Sequence, residues 1–543
     1  MKTYIKTTFA AAVVVLATSC ADLDVEVKSQ YTEYPTESEV ALDAKMADVY
    51  YAFRSALGNS YNRYQTFASD EATGLSFDGD YYDGAENVNP TLHNFKAEDG
   101  PLNWWTDLSS GITRCNKLIA EFEAEENSEQ FTSYIASARM MRAFYHFILM
   151  DSYGDVPILN KIYDEDEAIS RSPRKEVAEF IEKEILESLP YLTEDNNAST
   201  YGKPNKWMAE ALLVKLYINW AVYTCGDVTT YDAETTPNSK LNDCVKYCDD
   251  IIDSGIFNLN DEYRSKFMYD NGVQIADFIY AMPYDCINAQ GLLYGRYRTF
   301  RRIDDGSPIG YYGGEMTNSC AGIVAMNPEF ADLFTLEGDD RNDAILGGAV
   351  FVHDPLTGEA TDVPYIYNDV QLEFTKTITL KEGGEEQLNA GADGNGWRQG
   401  YRSIKFYPNP NEYSQYSRNQ SNDVPIFRFA DILLTKAEAI LRGATPTGED
   451  TPQSLFNQIR EYVNAPLLDH EPSLEELLDE RGREFFDESW RRNDMIRFGT
   501  FESEYGFHRQ GFPNANFDKS HRIFPVPQDV LNANTNWNQN AGY

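Results

Sequence analysis

The segment ARMMRAFYHFILMDSYGDVPIL, Ala138 to Leu159, constrains the fold more than any other stretch of the chain. At helical spacing Arg139, Arg142 and His146 form one narrow polar stripe, and the remainder as far as Met150 is largely apolar. A helix of this kind is buried on most sides. It is too short and too charged to span a bilayer. Gly154 suits the left-handed residue that ends a helix, and Pro157 prevents resumption. The segment therefore reads as the core of an array of packed helices.

Other segments repeat the period. Ala209, Leu212, Leu213, Leu216, Trp220 and Tyr223 share one face of a long helix, and Phe429, Ile432, Leu433 and Ile440 share another. The latter helix has a second apolar face in Ala430, Leu434, Ala437 and Leu441. Further helices are expected over 38–57, 102–123, 174–189, 240–254, 453–463 and 474–487, with Pro173 and Pro204 near helix starts. Small-large alternation points to tetratricopeptide-like helix pairs, without a strict 34-residue repeat. From 261 to 425 Gly, Pro, Asn and aromatic residues displace the helical pattern, and EFTKTITL (373–380) alternates like a short strand. The fold class is mainly α, with a loop-rich, irregular insertion that carries short strands. Loops of that length, set in a helical chain, are where a ligand surface is expected.

The formal net charge of −41 repels nucleic acid and leaves small neutral ligands, calcium or a cationic partner patch. The seven cysteines form no CxxC pair, and Cys244 and Cys248, four residues apart on an expected helix, suit core packing. DGDYYDG (78–84) is loosely like a calcium loop but lacks the later glutamate, so it reads as an acidic turn. HExxH, GxSxG and GxxxxGK[ST] do not occur, and with 87 acidic residues no carboxylate pair stands out as a hydrolase pair. The chain reads as a non-enzyme, with no cofactor and no metal.

The first residues are an address. Lys2 and Lys6 precede an apolar run from Phe9 to Ala17, and small residues lead to Cys20. Residues 1–19 read as a secretory signal. The approach to Cys20 resembles a lipoprotein cleavage site, with Ala17 where leucine is usual and Leu16 one place early. Cys20 would then carry lipid. The following ADLDVE resembles the acidic tag of surface lipoproteins. Residues 20–543 are expected to form a single domain, in which 20–260 and 426–543 are the helical scaffold and 261–425 the ligand side.

Five pieces in order resemble the SusD-like (RagB/SusD) family. They are WTDLSSGITRCNKLI with Trp105, Ile112 and Asn116; ARMMRAFYHFILMDSYGDVPI; FRFADILLTKAEAIL; ERGREFFDESWRRNDMIRFG; and the tail RIFPVPQDVLNANTNWNQNAGY. The fourth keeps Glu480, Arg481, Glu484, Glu488, Arg491, Asp494 and Arg497 in the family's spacing. Ser489, Ser109 and Ala541 replace a usual glycine, tyrosine and proline, with consequences for local packing only. The resemblance implies a scaffold of four tetratricopeptide-like helix pairs with an irregular face. It implies a lipid-anchored, outer-membrane protein facing the exterior, which caps a SusC-like TonB-dependent transporter and captures oligosaccharide or polysaccharide without catalysis. The alternative is a peptide-binding or structural lid subunit of such a transporter, since helical-repeat scaffolds also hold peptides. For the charged residues of the fourth piece, spacings of three and four suit salt bridges within helices, a structural use.

Sugars offer apolar C–H patches and rings of hydroxyls, so their receptors present aromatic faces beside planar polar groups. The candidates are Trp104, the extra tryptophan beside a core Trp105; Tyr294, Arg296 and Tyr297 in LLYGRYRTFRR; Tyr311, Tyr312 and Trp397 in glycine-rich loops; and Asp70 in FASDEA, which resembles a residue lining the family's ligand face. The four arginines of 296–302 serve either sugar hydroxyls or carboxylates, or salt bridges, and two of the four are assigned to structure. The loop aromatics have their own alternatives: burial under the loops, or the transporter contact.

Overall fold

The structure is a computed structural model in which residues 39–164, 166–303 and 310–543 are described. The chain divides into two units, residues 1–47 and 48–543. The expected signal, its cleavage point and Cys20 lie outside the described residues. No described helix is long and apolar enough to cross a membrane.

The larger unit is mainly helical, as the periodicity requires. α1 (Trp104–Glu123) packs on α2 (Thr132–Tyr153), α2 on α3 (Arg174–Ser188), and α4 (Lys206–Ile218) on α5 (Leu241–Asp253). α5 meets α6 (Phe429–Leu441), which packs against α7 (Pro452–Tyr462) and α8 (Leu474–Phe485); α9 (Arg491–Phe498) packs on α8. Capping boxes start two of these helices: Thr451 with Ser454 at α7, and Ser473 with Glu476 at α8.

α2 is buried along its whole length from Met140 to Tyr153, and its polar stripe explains how it tolerates this. Arg142 donates to Glu184 of α3 (Nε–Oε2 2.8 Å) and to Asn116 of α1 (2.8 Å), so the stripe ties three helices together. Arg139 reaches Glu184 as well. His146 accepts the amide of Leu159 (3.1 Å), and burial pushes its pKa down to about 4. Gly154, at φ 76°, ends the helix against Ile523, where a Cβ would fall 2.8 Å from its Cδ1.

The long helix expected from Ala209 to Tyr223 is broken. Asn219 turns its side-chain amide back to the carbonyl of Lys215 (2.9 Å), α4 ends at Ile218, and a short helix resumes at Trp220. EFTKTITL is corrected too: only Glu373–Phe374 is strand, paired with Gly348–Ala349, and the next residues leave the ladder.

Two strand pairs fix the irregular region to the helices. β1 (Ala72–Gly74) pairs with β3 (Val324–Met326), and β2 (Phe278–Met282) with β4 (Val424–Arg428), both antiparallel. β4 delivers Arg428 to a buried cluster in which it contacts Asp277 (2.6 Å), Glu484 (2.8 Å) and Glu488 (2.8 Å). Arg341 joins Glu480 (2.8 Å) and Glu484 (3.2 Å), and Lys405 joins Glu488 (2.6 Å). The spacing argument gave these glutamates partners on their own helix. The structure gives Glu484 and Glu488 partners from the irregular region and β4, so this ionic cluster joins the region to the scaffold. Arg481, likewise, pairs with Asp431 of α6 and Asp494 of α9 (both 2.8 Å).

Candidate ligand-binding face

The loop after β1 builds the face. Phe77 and Asp80 exchange both backbone hydrogen bonds across Asp78 (φ 53°) and Gly79 (φ 94°), a two-residue turn of the kind Asp-Gly favours. Tyr81 (φ 59°), Asp83 (φ 44°) and Ala85 (φ 78°) then hold left-handed backbone that side chains rarely adopt. Two acidic residues pin this loop. Asp78 accepts from Lys381 (2.8 Å), Asn389 (3.1 Å) and the amide of Ala392 (3.1 Å), and these bonds hold its pKa at about 2. Asp80 accepts from Arg301. Two of the three aspartates that suggested a calcium loop, Asp78 and Asp80, are thus bonded to basic side chains.

Arg301 is the centre of the face. Its guanidinium is buried and lies 4.9 Å from the ring centre of Phe77, 5.0 Å from that of Tyr81 and 6.0 Å from that of Trp397. Tyr81 and Trp397 stay half-buried. Trp397 rides on the short helix Gly394–Trp397, capped by Asp393, whose carboxylate accepts the amides of Asn395 and Gly396 (both 2.9 Å). Gly396 runs so close to the carbonyl of Gly391 that no Cβ fits. Beside Tyr81, Arg296 is half-buried, bonds to the Tyr81 phenol and lies 5.2 Å from the Tyr297 ring centre, which Arg63 approaches at 4.3 Å. The indole N–H of Trp397 and the Nε of Arg301 are buried without acceptors. The result is a pair of half-exposed aromatic faces held by a buried cation, with Arg296, Asp393 and Asn395 nearby, an arrangement able to stack on a ring and bond to its hydroxyls.

The structure brings together three of the expected residues, Arg296, Tyr297 and Trp397, although Tyr297 is only 7% exposed. It corrects four others. Trp104 is buried among Tyr61, Tyr153 and Phe524, and its indole donates to Ser152 (3.1 Å). Tyr294 is buried edge-on to Phe406 beneath Arg298. Tyr311 and Tyr312 lie with ring centres 4.4 Å apart in a core formed by the irregular region itself, where the Tyr311 hydroxyl accepts the amide of Phe300 (3.1 Å). These four rings fill space between segments and present no face to solvent. Asp70 is bound bidentately by Arg491 (2.7 Å to each oxygen), which fastens the approach to β1 onto α9. Of the four clustered arginines, Arg298 and Arg301 are the buried pair, the first bonded to Asp487 (2.7 Å). Tyr81 was missed. Its one sequence signal was its place in the acidic turn, between strand and helix, where the aspartates drew attention first.

Comparisons with known proteins match this architecture. A family model described as "SusD family" matches residues 294–543, and one described as "Starch-binding associating with outer membrane" matches residues 23–218. The starch-binding protein SusD of Bacteroides thetaiotaomicron is 23% identical over 470 residues, which are 80% of this chain and 77% of that protein. A structure named laminarin binding SusD-like protein superposes with a TM-score of 0.68 at 20% identity, covering 93% of this chain and all of the other. Surface glycan-binding protein A from Bacteroides thetaiotaomicron, solved with laminarihexaose, gives a TM-score of 0.68 at 18% identity over 92% of this chain and 99% of its own. At these identities the two solved structures share with this chain its fold.

Proposed function

The chain belongs to the SusD-like family, and from that premise we propose that it is a non-catalytic glycan-binding protein of the outer membrane. It captures oligosaccharides from outside the cell, is held by lipid on Cys20, and passes its ligand to a SusC-like TonB-dependent transporter. The observation that carries the reading is the pair of half-exposed rings, Tyr81 and Trp397, held over the buried Arg301 guanidinium. The names of the relatives, which bind starch and laminarin, support it. The acids beside the rings support the absence of catalysis, since Asp78 and Asp80 are bonded to Lys381 and Arg301 and are not poised as an acid and base.

Each stacking contact contributes about 1 kcal/mol, so single sites bind weakly, and proximity to the transporter supplies retention. Native electrophoresis of the purified protein through gels containing starch, laminarin or other polysaccharides tests the reading. Retardation in at least one gel is expected, and unaltered mobility in all of them contradicts it.

A second reading, a peptide-holding or structural lid, has one observation in its favour. A cleft of about 550 Å3 lies between α1 and the C-terminal tail, lined by Trp105, Trp537 and the hydroxyl face Thr106, Ser109, Ser110 and Thr113. Binding of unstructured peptides with no binding of glycans would favour it.

A further inference from the structure

The aromatic surface does not stop at Trp397. Tyr81 and Tyr82 are adjacent in sequence but pack on different buried clusters: Tyr81 and Trp397 on one, Tyr82 with Phe507 and Phe512 on the other, which is formed by Val88, Leu92 and Leu388. Leu380 packs against both and joins them. Phe507 and Phe512 have ring centres 5.2 Å apart, and both are half-buried, as Tyr82 is.

These two rings stand on a firm base. Within the 503–517 loop the two ring nitrogens of His508 face the carbonyls of Ser503 (3.0 Å) and Asn516 (2.8 Å), and the neutral ring donates to one of them. Its ring stacks on Phe517 at 4.0 Å and lies 4.1 Å from His93, which in turn stacks on Phe501 at 4.1 Å. The backbone is fastened again where the Asn516 amide donates to the Leu92 carbonyl (2.9 Å). A loop so tied, yet carrying two large aromatic residues that are only half-buried, is suited to present them.

We propose that Tyr82, Phe507 and Phe512 form a second sugar-binding platform, continuous through Leu380 with the first, and that the ligand is a linear chain of several sugars lying across both. The proposal rests on the glycan reading and adds the length of the ligand to it. Aromatic side chains, with exposed Asp83, Gln510 and Asn514 around them, suit alternating C–H faces and hydroxyls better than they suit a continuous apolar partner.

The test measures, by calorimetry on the purified full-length protein, binding of maltooligosaccharides and laminarioligosaccharides of two to eight sugars. The proposal predicts affinity that rises with length and then levels. Phe507→Ala and Phe512→Ala together should reduce affinity for the longest chain about tenfold, and leave the shortest chain that binds unaffected. Phe507→Leu with Phe512→Leu keeps apolar volume at the base of the loop but removes the flat faces, so it should show the same length-dependent loss without a folding defect. Wild-type affinity at every length in the leucine variant overturns the proposal, and so does an equal loss at every length. If the wild-type protein binds no member of either ladder and no polysaccharide in the gels, the glycan reading fails and the second platform fails with it. A Trp397→Ala loss at all lengths, beside unaffected phenylalanine variants, preserves the reading and sinks only the second platform.

Discussion

The guanidinium of Arg301 lies 5.0 Å from the ring centre of Tyr81 and bonds to the carboxylate of Asp80, one residue earlier on the same strained turn. One buried cation thus fixes both the backbone and the ring of the loop that builds the ligand face. The Asp80 side chain is 52% exposed, so removing its partner leaves a carboxylate that water can solvate. Arg301→Ala is therefore expected to cost only about 1–2 kcal/mol of stability, mainly lost packing and cation–π contact. The larger effect falls on glycan affinity, because Tyr81 and Trp397 lose the group between them. Urea denaturation and calorimetry on the same variant separate the two effects, and a stability loss without a change in affinity would detach Arg301 from the site.

Trp104 gives the opposite result. Its burial among Tyr61, Tyr153 and Phe524 makes Trp104→Ala a cavity mutation costing about 3–5 kcal/mol, and Trp104→Phe a milder one. The folded fraction of either variant should bind glycan like wild type. Weaker binding by well-folded Trp104→Phe would return this residue to the site.

Arg428 holds Asp277, Glu484 and Glu488 together at 2.6–2.8 Å, so Arg428→Met leaves buried carboxylates without their main cation. A loss of about 3–5 kcal/mol is expected, in a denaturant titration, with β2 and β4 the first segments to lose hydrogen-exchange protection. The double substitution Glu484→Gln with Arg428→Met should recover part of it.

Burial raises the Asp423 pKa to about 7, and the amide of Tyr284 donates to the same carboxyl (2.8 Å). A carboxyl whose folded pKa stands above its unfolded value stabilises fully below the unfolded value, and that contribution disappears as pH rises through the folded one. Between pH 5 and 8 this group should remove roughly 2–3 kcal/mol. Asp423→Asn keeps the acceptor and cannot ionise, so its stability should fall less over that range. Parallel pH dependence in the two proteins would contradict the assignment.

If Cys20 carries the lipid, Cys20→Ala should abolish labelling by a fatty-acid analogue and release the protein from the membrane fraction. Labelling that persists would place the anchor elsewhere.

The helices and the scaffold role of the Glu480–Arg497 segment were legible in the sequence, because helical periodicity is a local property of neighbouring residues. The cationic partners of Glu484 and Glu488 were not, since Arg341, Lys405 and Arg428 arrive from residues 341–428 and no spacing rule reaches that far. The glycine-rich loops misled for a physical reason. Tyr311 and Tyr312 lie where the irregular region folds over on itself and needs a core of its own, so glycine there permits tight packing of aromatics and does not expose them. Tyr81, conversely, is kept only half-buried by positive-φ backbone at its own position and its neighbours, which a composition dominated by aspartate conceals.

Calorimetric titration of wild type and Trp397→Ala with the polysaccharide that retards the protein most strongly tests the central claim directly. The account predicts measurable binding by wild type and affinity about five- to tenfold weaker in the variant, with melting temperatures that differ by only a few degrees. Equal affinity in the two proteins would contradict it, and would place the ligand away from Arg301.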